Sequence, residues 1–140
     1  MQLLFLLMGL FFPPATPPAI EVTLSSTCPE GGQIHLAVYD SEEGFEQKQD
    51  VFSVIKDCRG EAITLEIPLP ANGSYVIAAF HDLNGNGILD TSVFGAPAEP
   101  YGFATPPPSR WRAPGFTEIA TSFSNEQRSA SILLKKWKEY

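Results

Sequence analysis

The chain is poor in the residues from which active sites and basic surfaces are built. Its 140 residues hold two histidines, two cysteines and nine lysines or arginines against sixteen acids, for a net charge of −7. No Gly-x-Ser-x-Gly elbow, zinc-protease helix motif or phosphate-cradling loop occurs, so the familiar signatures of nucleophilic, metal-hydrolytic and phosphoryl chemistry are missing. The cysteines stand alone, without the Cys-x-x-Cys pair of a thiolate zinc site. Charge is also unevenly spread. Residues 21–99 carry thirteen acids against three bases, which is −10, whereas residues 100–140 carry three acids against six bases, which is +3. An acidic body disfavours nucleic acid and anionic membrane as partners. The tail lysines Lys135, Lys136 and Lys138 fall short of the clusters that recognise lipid and read as a solvated strand end. Beyond the N-terminus no apolar run is long enough to cross a bilayer, so no transmembrane segment is expected.

Leu3 to Phe12 is apolar apart from Gly9, too short to span, and runs into Pro13-Pro14-Ala15-Thr16-Pro17-Pro18-Ala19 with no charge before Glu21. Residues 1–19 are therefore expected to be an export signal, leaving one domain over 20–140 in a secreted or periplasmic protein. A buried N-terminal segment is the alternative. Cys28 and Cys58 agree with an oxidising compartment. A disulfide between them closes a loop of about thirty residues and contributes roughly 3 to 4 kcal/mol on the chain-entropy estimate. Two buried thiols are the alternative should export be wrong.

With 44% hydrophobic residues there is material for one core, and thirteen prolines and eleven glycines favour short strands joined by turns over a helical bundle. Period-two alternation marks Ile20-Val22-Leu24, Ile34-Leu36-Val38 and Ile63-Leu65-Ile67, each with one face to bury. Gly73 to His81 is apolar on both faces and reads as a central strand. Residues 45–55 are ambiguous, with room for a short helix. Phe94 to Gly115 is a long proline-rich excursion. Further strands are expected around Thr117–Phe123 and Ala130–Lys136. The expectation is an all-β, antiparallel two-sheet sandwich of about seven strands with one long proline-rich loop.

Chemistry concentrates in His81-Asp82-Leu83-Asn84-Gly85-Asn86-Gly87-Ile88-Leu89-Asp90. Calcium requires six to eight oxygens, and a chain curling round it offers side chains from alternate residues. Asp82, Asn84 and Asn86 fill the first three such places, Gly87 provides the sharp turn, Ile88 offers its carbonyl, and Asp90 stands at the position often bridged by water. The closing bidentate Glu of an EF-hand is absent, since Val93 occupies that place. Glu99, the nearest downstream carboxylate, is the candidate replacement. The preceding Tyr75-Val76-Ile77-Ala78-Ala79-Phe80 is a strand rather than a helix. The implied cofactor is a structural Ca2+ held at an affinity on the order of 10⁻⁴ to 10⁻³ M, as in extracellular modules. The plain alternative is a metal-free hairpin turn with an Asx-turn at Asp82.

The block Phe80 to Thr91, followed by Phe94-Gly95-Ala96-Pro97-Ala98-Glu99-Pro100-Tyr101-Gly102-Phe103, resembles the signature of the bacterial family called domain of unknown function 2141. The resemblance covers most of residues 20–137 and is specific in that block. It implies an exported β-sandwich, transthyretin-like or immunoglobulin-like and akin to carboxypeptidase-regulatory domains, with no established activity. Where the family tends to carry Ser-Asn-Asn, this chain has Ala104-Thr105-Pro106. The functional expectation is an exported binding or accessory module toward a protein or glycan. Tyr101, Phe103, Arg110, Trp111 and Arg112 are its candidate contact surface, unless these aromatics only seal a sheet edge. The alternative is a small envelope enzyme, hydrolase-like, that uses His81 and Glu99 as acid and base.

Overall fold

The computed structural model describes residues 11–13, 18–26 and 31–140. Two sheets face each other. One has the order β4-β1-β8, from β1 (Ile20–Ser26), β4 (Ile63–Ile67) and β8 (Ser129–Leu134). The other has the order β3-β2-β5-β6, from β2 (Gln33–Tyr39), β3 (Phe52–Asp57), β5 (Gly73–Asp82) and β6 (Tyr101–Phe103); β7 (Thr121–Phe123) pairs with the start of β5. The expected all-β two-sheet sandwich is what forms. Every pairing is antiparallel except β1 with β8, which run parallel from Glu21↔Ser129 to Ser26↔Leu134.

Alternation dictates what lies between the sheets. Ile20, Val22 and Leu24 on β1 face Ile34, Leu36 and Val38 on β2 across the core, joined by Tyr75, Ile77 and Ala79 of β5 and by Ile132 and Leu134 of β8. Each fully buried aliphatic of this kind contributes on the order of 1.5–3 kcal/mol. Strand β5 is central as expected, with β2 along one edge and β6 and β7 sharing the other.

One ambiguity is resolved and two expectations are corrected. Residues 45–55 hold the end of a helix, α1 (Glu42–Glu46), capped by the Ser41 hydroxyl on Gly44 N–H at 3.0 Å, and then the start of β3, an edge strand. The stretch expected to be a strand from Thr117 begins instead as the one-turn helix α2 (Phe116–Ile119), because the Glu118 carboxylate accepts the Gly115 N–H at 2.8 Å. The Phe94–Gly115 excursion is not wholly irregular, since Tyr101–Phe103 joins β5 as β6. Gly102 at its middle lets β6 lie flat on β8: a Cβ there falls 2.8 Å from Ile132 Cγ2 and 2.9 Å from the Leu133 oxygen. Among the described residues no helix is long and apolar enough to cross a membrane.

The expected disulfide and signal fall partly beyond this description. Cys58 is buried, and Cys28 lies outside the described residues, as do 1–10 and 14–17 of the expected signal. Cys58 follows directly on β3, where its N–H donates to the Gly32 oxygen at 3.1 Å and its oxygen accepts from Gly31 N–H at 2.9 Å.

Candidate metal-binding loop

Neighbouring residues on a strand point to opposite faces, and the end of β5 separates His81 from Asp82 in this way. His81 turns inward and is fully buried. Its Nε2 sits 2.5 Å from the Gly31 carbonyl oxygen and its Nδ1 2.9 Å from the Ser26 hydroxyl. A carbonyl only accepts, so Nε2 carries the proton and the ring links the two sheets. Asp82 turns outward, to the face that carries His35 and Phe80, and the loop then closes over it.

The loop is organised by its own side-chain oxygens. Asp82 accepts Gly85 N–H through Oδ1 at 2.9 Å and Gly87 N–H through Oδ2 at 2.8 Å. Asn84 Oδ1 accepts from Asn86 N–H at 3.2 Å, and Asn86 Oδ1 from Ile88 N–H at 3.1 Å, two successive Asx-turns. The two asparagines then donate from Nδ2 to the two oxygens of Asp90, at 2.7 and 2.8 Å. Gly85 and Gly87, at φ of 72° and 80°, occupy the left-handed region that these reversals need. Glu99, buried, holds both ends of the loop: Oε1 accepts Leu83 N–H at 2.9 Å and Oε2 accepts Asp90 N–H at 3.2 Å.

Burial alone raises the Asp82 carboxyl. The N–H groups of Gly87, Gly85 and Asn86, with the positive potential of His35, outweigh that and hold it below the usual carboxylate range. The anion is thus the native form despite its complete burial.

The structure therefore brings Asp82, Asn84, Asn86, Asp90 and Glu99 into one connected network. Ile88 lies on the same turn with its side chain in solvent, 62% exposed. Among the described residues no three of His, Cys, Asp and Glu are gathered into a ready ligand set. The carboxylates are joined through asparagine amides and main-chain N–H groups instead. The donor chemistry fits a hard cation, since three carboxylates, two amide oxygens and the Ile88 carbonyl are all oxygen ligands. An N/O swap of the Asn84 and Asn86 amide groups, a half-turn about a terminal torsion, exchanges the nitrogens now facing Asp90 for oxygens and gives up the two Asx-turn bonds from Asn86 and Ile88 N–H, a loss that the bound cation has to offset.

One participant was not visible from spacing. His35 lies diagonally across the β2–β5 register from Asp82, with Nε2 3.4 Å from Asp82 Oδ2 and its ring stacked on Phe80 at 4.7 Å. Its Nε2 is buried without a hydrogen bond of good geometry. Only the pairing of two distant strands brings the two residues together.

The expected contact residues occupy a different place. Tyr101 is buried and Phe103 half-buried in β6, whereas Trp111 is 75% exposed. Arg110 packs between Trp111 and Trp137, its guanidinium 5.0 and 4.9 Å from the ring centroids. Arg112 forms a two-pronged ion pair with Glu118 at 2.8 and 2.6 Å, which pulls the Glu118 carboxyl down to about 2. Tyr101 and Phe103 thus seal the sheet edge, and Trp111 does not.

Comparison with family models matches residues 22–131 to a family described as uncharacterized protein conserved in bacteria (DUF2141). No curated protein matches, and no solved structure does.

Proposed function

The chain belongs to this family of uncharacterised bacterial proteins, and we propose that it is an exported binding or accessory module whose Asp82–Asp90 loop is steadied by a calcium ion, with Glu99 as the closing ligand. The observation that carries this reading is the position of Glu99. It comes nine residues after the loop's last carboxylate, yet it is buried and grips the loop at Leu83 and Asp90. A simple turn needs no such carboxylate, whereas a cation loop lacking its closing Glu does. Calcium at about tenfold over a millimolar dissociation constant is expected to stabilise the fold by about 1.4 kcal/mol, a rise of several degrees in melting temperature. Magnesium, which needs tighter octahedral geometry, is expected to give a smaller shift. Scanning calorimetry with calcium, magnesium and EGTA checks this; identical melting in all three sinks the calcium assignment.

The disulfide and export belong to the same proposal. The main chain of Cys58 is bonded to Gly31 and Gly32, which follow Cys28 by three and four positions in the sequence, and this supports the pairing. Intact-mass measurement of protein recovered from the periplasm or medium is expected to show loss of a segment ending near residue 19. Reduction is then expected to add two hydrogens. A full-length, unbridged mass overturns both points.

The hydrolase-like alternative places acid and base on His81 and Glu99. Both ring nitrogens of His81 are engaged inside the core, and both Glu99 oxygens accept main-chain N–H groups. Neither residue lines the surface groove formed by residues 92–98, 109–114 and 136–138, and this favours the module.

A further inference from the structure

The segment between Asp90 and Glu99 does more than return the chain. It forms one wall of a groove of about 870 Å³ whose opposite wall is the 109–114 turn and the C-terminal 3-10 turn Trp137–Glu139. That size falls within the range of small-molecule sites. Two aromatic faces stand open in it, Phe94 at 93% and Trp111 at 75% exposure. Trp111 is held upright by Trp137, edge-on at 5.0 Å, and by the Arg110 guanidinium between them. Arg110 is itself fixed by the main-chain oxygens of Lys138 and Tyr140 at 3.1 and 3.0 Å, and Trp137 Nε1 donates to the Arg110 oxygen at 2.8 Å. The aromatic platform is therefore preorganised.

Charge specifies the occupant. In a chain of net charge −7, the groove lining contains Arg110, Arg112, Lys136 and Lys138 and no acid. Arg112 is neutralised by Glu118, which leaves the exposed Lys136 and Lys138, on either side of Trp137 in the same groove lining, to meet an anion. The surrounding body is acidic, and like charges are felt over about 10 Å at moderate salt, so a long polyanion is repelled beyond the groove. A short one is not.

We infer that this groove binds a short stretch of acidic sugar, its rings laid on Trp111 and its carboxylates against Lys136 and Lys138. The inference rests on the module reading above and names the ligand class. A peptide fits less well. Strand addition needs an open edge, and β6, the strand beside the groove, has Tyr101 bonded to Lys135 in both directions at 3.0 and 3.2 Å. Peptide anchors also favour closed pockets, whereas the aromatic faces here are open and flat.

The test titrates the mature protein in EGTA with a hexamer of galacturonic acid, its methyl ester and hexaglutamate, by calorimetry at low and high salt. The acid sugar is expected to bind, with the ester and the peptide at least tenfold weaker. Trp111→Ala is expected to weaken the acid sugar at least tenfold, and Lys136→Gln with Lys138→Gln to weaken it about tenfold and flatten its salt dependence. All three positions are exposed, and circular dichroism confirms that the variants fold. Absent binding, equal binding of acid and ester, or hexaglutamate binding as tightly as the acid sugar overturns the inference. Because calcium is excluded here and sugar is excluded from the calcium experiment, the two proposals fail independently.

Discussion

Asp82→Ala is expected to abolish calcium stabilisation and to lower the stability of the metal-free protein by on the order of 3 kcal/mol. Two N–H groups, on Gly85 and Gly87, lose a charged acceptor, and bonds of that kind contribute about 1.5–3 kcal/mol each before solvent takes part of the role. His35 loses the carboxylate beside its Nε2 as well. Asp82→Asn retains the shape and one acceptor oxygen, so it should cost less while still removing the calcium response. The pH dependence separates charge from shape. The Asp82 carboxyl lies below its ordinary value of 3.8 in the folded state, so the stability it contributes is complete above that value and is lost as pH falls through the lower folded value. Urea unfolding between pH 6 and pH 2 should therefore show the native protein losing stability more steeply below about pH 4 than Asp82→Asn does. Parallel curves for the two would show that the carboxylate charge does not hold the loop.

The parts of this molecule that were legible in advance are those decided by nearest neighbours along the chain. Ile20, Val22 and Leu24 alternate and are each wholly buried, because a strand with one apolar face has one place to put it. The acceptors at 82, 84, 86 and 90 were equally legible, since alternate polar residues separated by glycines have few other uses. Glu99 could be suspected because the loop lacks an acid that its spacing requires. What escaped depends on partners far along the chain. Strand β3 lies at a sheet edge, where Ser53, Ile55 and Asp57 face solvent and the alternation is diluted. Strand β6 is three residues with a glycine at its centre, and only the surface of β5 makes it a strand. Helix α2 occupies Phe116–Ile119 because a single carboxylate, Glu118, caps a turn that propensity assigned to a strand. The His35–Asp82 contact needs the register of β2 on β5 and could not be read from either segment alone.

Gly32→Ala is expected to be the most disruptive single-methyl change near the loop, and it tests whether strand packing, rather than the loop itself, positions Asp82. Gly32 adopts φ of 65°, and a Cβ there falls 2.2 Å from the Asp82 main-chain oxygen and 3.1 Å from both the Asp82 carbonyl carbon and Leu83 Cα. All three are backbone atoms at the point where β5 passes into the loop, so no side chain can swing aside. The left-handed conformation costs alanine about 1–2 kcal/mol, and overpacking adds roughly 1–3 kcal/mol. The total is on the order of 3 kcal/mol. The Gly32 oxygen also accepts the Cys58 N–H, so a shift there disturbs the end of β3 as well. Gly31→Ala is the internal control: its φ of 118° also disfavours alanine, but no atom lies within 4 Å of the added methyl. Urea unfolding should rank native, Gly31→Ala and Gly32→Ala in falling stability, and calcium should recover less of the loss in Gly32→Ala, because the displaced carbonyl carries Asp82 with it. Equal stability of the two alanine variants would mean that conformation alone matters at this corner. The close approach of β2 to Asp82 would then have no part in setting the loop.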